Sequence, residues 1–359
     1  MGRGSARGKR GTVQPPRSRL GRHLLWPAAW CYAVGLHADE LLDGLRERLR
    51  ADRPVVGVGN LTVGGSGKTP TVRWLAAALL ERGRRPALVT RGYGGSRAAR
   101  TAEPALVEAE EPALYGDEAV LLRRELPGVP VVVGRIKARA ALLAAEQPGV
   151  DTVIVDDALQ HRRLVRDFDL TVLAAADWRA RLRLVAALLP AGRLRVPFDR
   201  LRRSDAALLL DAGADELRLL RARFPGLLCL GGRFSAVGLR TLDGARRPRG
   251  LLAGRRIVAC CALARPEPFF ADLERLGAVI AARLALPDHA PYDESQLARL
   301  ARLRDAHPGA PCLITGKDAV KLRGRLEGDV LLLERELRLE PGGTERLLAA
   351  LSARLERRR

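Results

Sequence analysis

From residue 54 onward, apolar runs of four or five residues alternate with longer stretches in which apolar side chains recur every three or four positions. The short runs fall at 55–58, 87–90, 129–133, 152–156, 170–173 and 206–210, and most are apolar at consecutive positions rather than alternate ones. Strands of that kind are buried on both faces, as in a mostly parallel sheet covered on each side by helices. Helical spacing at 69–82, 117–126, 136–146 and 177–188 supplies the covers. The pattern predicts an α/β domain over 51–235.

A break follows at 233–256, where Gly, Arg and Pro are dense. Beyond it, strands at 257–262, 312–315 and 330–334, helices at 266–276 and 294–305, and an amphipathic helix at 344–355 predict a smaller α/β domain over 236–359. Residues 1–22 carry seven Arg or Lys and no acid among many Gly, Ser and Pro, the composition of a disordered basic arm. The apolar stretch 24–36 contains Pro27 and is too short to span a bilayer. It holds Trp26, Trp30 and Tyr32, the residue types favoured at a membrane interface. Trp30, Val34, Leu41, Leu45 and Leu49 share one helical face, so 23–50 reads as an amphipathic, membrane-associated helix. A helix packed on the body of the protein is the alternative.

Composition changes this picture in two places. The formal net charge is +21, but only five of the 62 basic residues are lysines: Lys9, Lys68, Lys137, Lys317 and Lys321. An arginine skew of that size fits codon bias spread over the surface, and equally a basic face for anionic lipids, phosphorylated substrates or nucleic acid. No aromatic-stacking motif, zinc pattern or recognition helix accompanies it, so nucleic acid is not the expected partner. The five cysteines (Cys31, Cys229, Cys260, Cys261 and Cys312) make no CxxC pair and read as reduced thiols.

The densest chemistry lies in Gly64-Gly65-Ser66-Gly67-Lys68-Thr69, after one predicted strand and opening a predicted helix. Glycines there let backbone N–H groups wrap phosphate oxygens at a helix N-terminus. Lys68 would reach the β/γ-phosphates of ATP and the Thr69 hydroxyl would bind Mg²⁺, with Thr62 and Val63 completing the nucleotide loop. A strict P-loop carries Gly where Thr62 stands. The run 152–156 ends in Asp156-Asp157, the form of a Walker B strand whose carboxylates complete a magnesium site. Gln160 and His161 follow at the same sheet edge, and Arg91 follows another strand, placed to clamp phosphate. For the residue that accepts an alcohol proton, Asp117 and His289 are the candidates, although Asp117 also reads as a plain helix N-cap.

In order along 24–339, these segments resemble the tetraacyldisaccharide 4′-kinase family, the lipid A 4′-kinases of Gram-negative bacteria. The resemblance rests on Val58-Gly59-Asn60-Leu61-Thr62-Val63-Gly64-Gly65-Ser66-Gly67-Lys68-Thr69-Pro70, Arg91-Gly92-Tyr93-Gly94, Gly116-Asp117-Glu118 and Asp156-Asp157 with Leu159-Gln160-His161. Further along come Leu189-Pro190-Ala191-Gly192, Arg265-Pro266-Glu267, Asp288-His289 and Lys317-Asp318-Ala319-Val320-Lys321. It implies a P-loop NTPase-like fold with a second α/β domain, and transfer of the ATP γ-phosphate to the 4′-hydroxyl of a tetraacyldisaccharide 1-phosphate, giving lipid IVA. Asp117 paired with His289 would activate that hydroxyl, and Asp156 and Asp157 would complete the magnesium site, which Gln160 and His161 would line. The enzyme would work at the cytoplasmic face of the inner membrane as a peripheral protein on anionic lipids, with no obligate protein partner. The family tolerates Thr at position 62. Departures fall in the second domain: Gly316 replaces an acid, Ala290 replaces a histidine, and Cys260-Cys261-Ala262 replaces a small, Gly-containing run. A GTPase or ParA-like ATPase fits less well, because Lys317 and Asp318 are adjacent and no Lys opens the loop.

Overall fold

The computed structural model describes residues 25–43, 47–97, 103–179 and 187–358, so the basic arm expected at 1–22 lies outside the described residues. These form two compact units. The larger comprises Glu47–Asn60, Gly65–Ala175 and Leu201–Arg359; the smaller takes the described residues of Met1–Arg46 with Leu61–Gly64 and Ala176–Arg200.

The larger unit is built on one sheet. Its strands are β1 (Val55–Gly59), β2 (Pro86–Thr90), β3 (Ala105–Leu106), β4 (Val131–Val133), β5 (Thr152–Asp156), β6 (Phe168–Ala174) and β7 (Ala206–Leu210). The chain then adds β8 (Leu228–Thr241), β9 (Arg246–Arg247), β10 (Arg256–Ala262), β11 (Val279–Leu286), β12 (Cys312–Thr315) and β13 (Val330–Leu339). Their order is β11-β10-β12-β13-β8-β7-β6-β1-β5-β2-β4-β3, with β9 paired to β8. All neighbours are parallel except β3 with β4 and β8 with β13 and β9.

Burial follows the consecutive hydrophobicity: every residue of β1, β2, β5 and β7 is buried. Val56, Val58, Leu88 and Ile154 face one layer, made by Val72, Leu75 and Leu79 of α2 (Lys68–Leu80), Val120 and Leu122 of the helix Asp117–Glu125, and Leu347 and Leu351 of the C-terminal helix Gly343–Glu356. Val55, Ala87, Val89, Val153 and Val155 face the other, where Ala140, Ala141 and Ala144 of the helix Lys137–Ala145 pack closely. The parallel sheet with helices on both faces is the architecture the sequence pattern predicts.

Four strands escaped that pattern: the two-residue β3 and β9, and the longer β8 and β11. The stretch read as a break contains the last nine residues of β8, so the boundary expected at 235/236 falls inside a strand. β8 pairs with β7 through Leu228–Gly232 and then with β13 from Gly232 to Thr241. Its second part is mostly half-buried, so Arg, Gly and Ser interleave with Phe and Leu and no continuous apolar run appears. β11 was missed for the same reason, being exposed or half-buried at most positions.

In the smaller unit, helix α1 (Trp26–Asp43) is shorter than the expected 23–50. Leu49 instead makes a β-bridge with Leu164 in the larger unit's fold, and 44–46 lie outside the described residues. The Tyr32 hydroxyl of α1 donates to the Arg195 carbonyl at 2.9 Å. Trp26, Trp30 and Val34, spaced four apart, are 43%, 58% and 65% exposed. Of the helix expected at 177–188, a short helix Ala175–Arg179 is seen, Leu188 bridges Leu194, and 180–186 lie outside the described residues. Among the described residues no helix is long and apolar enough to cross a membrane.

The two-sided burial of β5 makes its centre sensitive to truncation. Ile154→Ala should lower unfolding stability by about 2–5 kcal/mol, read as a shifted urea midpoint with an unchanged slope.

Candidate active site

The larger unit gathers most of the sequence candidates at the carboxyl edge of its parallel strands. β1 pairs with β5 so that Val58 lies beside Asp156. This register brings the start of the glycine loop next to the Walker B carboxylates. Gly67 caps α2 with φ +83°, and a Cβ there would lie 2.8 Å from the Phe234 ring, so the loop needs glycine for conformation and for space. Lys68, the first residue of α2, donates to Asn60 Oδ1 at 3.1 Å and sits 3.6 Å from Asp157. Asn60 in turn donates to Ser66 Oγ at 2.7 Å. The Thr69 hydroxyl donates to Asp156 Oδ2 at 3.0 Å.

The other oxygen of Asp156 is buried without a hydrogen-bond partner. Burial, reinforced by Glu118, pushes this carboxyl above the usual range against the pull of Lys68 and Lys137. An orphaned buried carboxylate oxygen beside a threonine hydroxyl fits a divalent cation. Among the described residues no cluster of three His, Cys, Asp or Glu side chains could hold a metal alone. Magnesium takes one or two carboxylates and fills its shell from phosphates and water.

Lys137 was not picked out by motif. It opens the helix Lys137–Ala145, is 1% exposed, and its ammonium has no hydrogen-bond partner. Burial depresses it to about 8, partly offset by Asp156 and Asp157. Burial likewise pushes His161 down to about 4, and Lys137 adds to the effect. Arg91 is exposed just after β2, and Gln160 is exposed after β5. Thr62, Val63 and Gly64 belong to the smaller unit. There Val63 N–H donates to the Arg193 carbonyl at 2.8 Å and the Thr62 hydroxyl to Asp177 at 3.2 Å.

A second cluster forms around Asp117, which is 4% exposed. The N-cap of its helix is Gly116, so the plain N-cap reading of Asp117 does not hold. Gly116 has φ +89°, and a Cβ on it would sit 2.6 Å from the Tyr93 carbonyl. The 92–95 loop therefore packs backbone to backbone against the start of the Asp117 helix, which sets Tyr93 over His289 with ring centroids 4.8 Å apart. His289 Nδ1 lies 3.1 and 3.0 Å from the two oxygens of Asp117. Lys321 Nζ is 2.9 Å from Asp117 Oδ2, and Glu118 N–H donates to Oδ1 at 3.1 Å. Burial alone would raise this carboxyl, but the His289 hydrogen bond and the lysine charges outweigh it and hold it well below the usual range. Lys317 contacts Asp288 at 2.9 Å, His289 Nε2 at 3.2 Å and Glu118 at 3.5 Å. Burial would depress its ammonium, yet Glu118, Asp117 and Asp288 together raise it.

Asp318 shapes the helix that carries both lysines (Gly316–Leu322). Fully buried, it closes a capping box with Thr315 and accepts from Ala262 N–H at 3.0 Å. Asp157 and His289 both have left-handed backbones, with φ +54° and +60°. Strain of that kind concentrates where function over-determines the geometry. A positional signal at helix starts was present in the sequence for Lys137 and Lys317, and it is shared by Lys68, which the glycine motif had already marked. Lys68, Lys137 and Lys317 all sit in the first turn of a helix, where the macrodipole disfavours a cation.

The family model described as tetraacyldisaccharide-1-P 4′-kinase matches residues 21–355. A tetraacyldisaccharide 4′-kinase of Anaeromyxobacter dehalogenans is 40% identical over 348 residues, covering 92% of this chain and 89% of that protein. One from Geobacter sulfurreducens is 38% identical over 339 residues, covering 92% and 93%. The crystal structure of Aquifex aeolicus LpxK, an "apo" form in complex with ATP, superposes with a TM-score of 0.75 at 28% identity, covering 93% of this chain and 99% of that one.

The depressed His161 gives a pH signature. The unfolded chain takes up its proton below about 6.5, while the folded imidazole stays neutral to about 4. The unfolded state therefore binds more protons in that window, and stability falls as pH drops through it. His161→Gln should flatten this decline in thermal melts between pH 6.5 and 4; parallel curves for variant and wild type would contradict the shift.

Proposed function

The chain belongs to the tetraacyldisaccharide-1-phosphate 4′-kinase family, and from that premise we propose how its residues divide the reaction. It is an ATP-dependent kinase of lipid A biosynthesis, acting on the 4′-hydroxyl of a lipid-linked disaccharide. Lys68 and the 62–69 loop hold the triphosphate. Thr69, Asp156 and Asp157 hold magnesium, which when bound neutralises developing phosphate charge. Arg91, Gln160 and His161 face the transferred phosphate or the substrate, and Lys137 adds a fixed buried charge behind the Walker B carboxylates. Asp117 and His289 activate the hydroxyl. The observation that carries this reading is the Asp117–His289 contact at 3.0 Å, made in the same compact unit as the Thr69–Asp156 bond.

The exposed Trp26–Trp30–Val34 stripe on α1 is the surface we assign to the membrane. It is in-plane rather than spanning, and the arginine-rich surface favours anionic lipids at the cytoplasmic face of the inner membrane.

Transfer of radiolabel from ATP to a tetraacyldisaccharide 1-phosphate in detergent micelles tests the reaction, with Lys68→Ala as the inactive control. Asp117→Ala should cut turnover by about 10²–10⁴-fold and leave ATP affinity nearly unchanged in a direct binding titration. Lost nucleotide affinity with surviving turnover would remove Asp117 from its role. Replacing both Trp30 and Val34 by Asp should lower flotation with anionic vesicles about tenfold, while turnover on micellar substrate changes little. Undiminished flotation would place the lipid contact elsewhere.

A further inference from the structure

The ladder that joins β8 to β13 sets Arg233 directly opposite Arg338. Like charges so placed repel one another and destabilise a strand pair. Both side chains are exposed, and neither makes an ion pair with another described residue. Elsewhere on the same two strands arginine is matched, Arg240 with Glu334 and Arg335 with Asp272. The arginine skew of the chain therefore does not by itself account for an unmatched couple in register.

Arg233 and Arg338 line a cavity of about 260 Å³ together with Ser235, Arg249, Asp272 and Arg275. Arg249, at the start of the short helix Arg249–Leu252, is likewise exposed and without an ion pair among the described residues. Asp272, on the helix Glu267–Arg275, is fully buried and pairs with both Arg275 and Arg335. Its charge is already matched, which leaves Arg233, Arg249 and Arg338 without a counterion. Glu336, opposite Ser235 in the ladder, does not line the cavity.

The cavity is separate from the glycine loop. Phe234 meets Gly67 and packs with Leu337 into the core beneath α2. Side chains alternate along a strand, so Arg233 and Ser235 lie on the opposite face.

We propose that this cavity binds a phosphoryl anion, either free phosphate or the phosphate of a lipid headgroup. Guanidinium forks pair bidentately with phosphate oxygens, and the Ser235 hydroxyl adds a donor. A phosphate monoester carries about 1.5 to 2 negative charges at pH 7, enough to turn the repulsion between Arg233 and Arg338 into shared attraction. The volume lies just below the roughly 300–1,000 Å³ of pockets that enclose larger organic ligands, so a phosphate group fits better than a whole nucleotide. Bound there, the anion ties the helix Glu267–Arg275 and the Arg249 turn to the ladder between the two halves of the sheet.

The test is calorimetric titration of the full chain with inorganic phosphate at constant ionic strength. The glycine loop is first saturated with Mg²⁺ and a non-hydrolysable ATP analogue. One phosphate should still bind per chain, and Arg233→Gln with Arg338→Gln should weaken it about tenfold or more. Arg246→Gln with Arg247→Gln removes the same charge from the exposed strand β9 and should leave the affinity unchanged. Without phosphate, the Arg233→Gln, Arg338→Gln variant should melt no lower than wild type, because it relieves a like-charge contact. Flotation with phosphatidic acid vesicles, in a Trp30→Asp, Val34→Asp background, separates the two sources. A further loss on removing Arg233 and Arg338 assigns the site to a lipid headgroup; unchanged flotation with lost phosphate binding assigns it to free phosphate. No phosphate bound beside the nucleotide analogue, equal weakening by the β9 variant, or a lower melting temperature of the Arg233→Gln, Arg338→Gln variant in phosphate-free buffer would each overturn the proposal.

Discussion

Nine residue pairs of antiparallel ladder join β8 to β13, and through them the strands after β8 continue the sheet begun by β1 to β7. Across this seam the two halves of the larger unit contribute side chains to one cluster around Asp117. Asp117 comes from a helix packed on the first half, whereas His289 follows β11 and Lys317 opens the helix after β12. Because β8 and β13 are antiparallel, the parallel strands on the two sides of this seam run in opposite directions, and their carboxyl ends do not share one edge of the sheet. The helix Asp117–Glu125 packs against Gly316–Leu322, and the carboxylate of one meets the ammonium groups of the other.

Within that frame, charge is distributed by burial as much as by pairing. Asp117 and Asp156 are both nearly inaccessible, yet they are pushed in opposite directions. Asp117 receives a histidine, two ammonium groups and a backbone N–H, and is held as a carboxylate. Asp156 has a threonine hydroxyl on one oxygen and nothing on the other, and Glu118 repels it. One carboxylate has partners on both oxygens; the other keeps one buried oxygen without a hydrogen bond. The fold thus holds the same side chain in two opposite electrostatic environments.

The sequence made the nucleotide half legible because its strands are buried on both faces and its loop must use glycine. β1, α2 and β5 were placed to within a residue or two from apolar runs and the Gly64–Thr69 motif. The later strands were harder. β8 and β11 are half-buried, so their arginines and serines mask the strand pattern. The pairing of Asp117 with His289 came from family resemblance, since 172 positions separate them. Lys137 was not singled out, and Lys317 and Lys321 stood only within a family motif without a role, because the burial of each ammonium depends on tertiary packing.

The scarcity of lysine has a practical side. Arginine carries no reactive amine, so the described surface offers almost no target for reagents that acylate or reductively alkylate amino groups. The four amines that are described lie beside the carboxylates of Asp156, Asp157, Asp117 and Asp288 rather than on the open surface. Amine-directed labels thus become probes of the site rather than of the surface, and the occupancy of the site by nucleotide can be followed through which lysines remain unmodified.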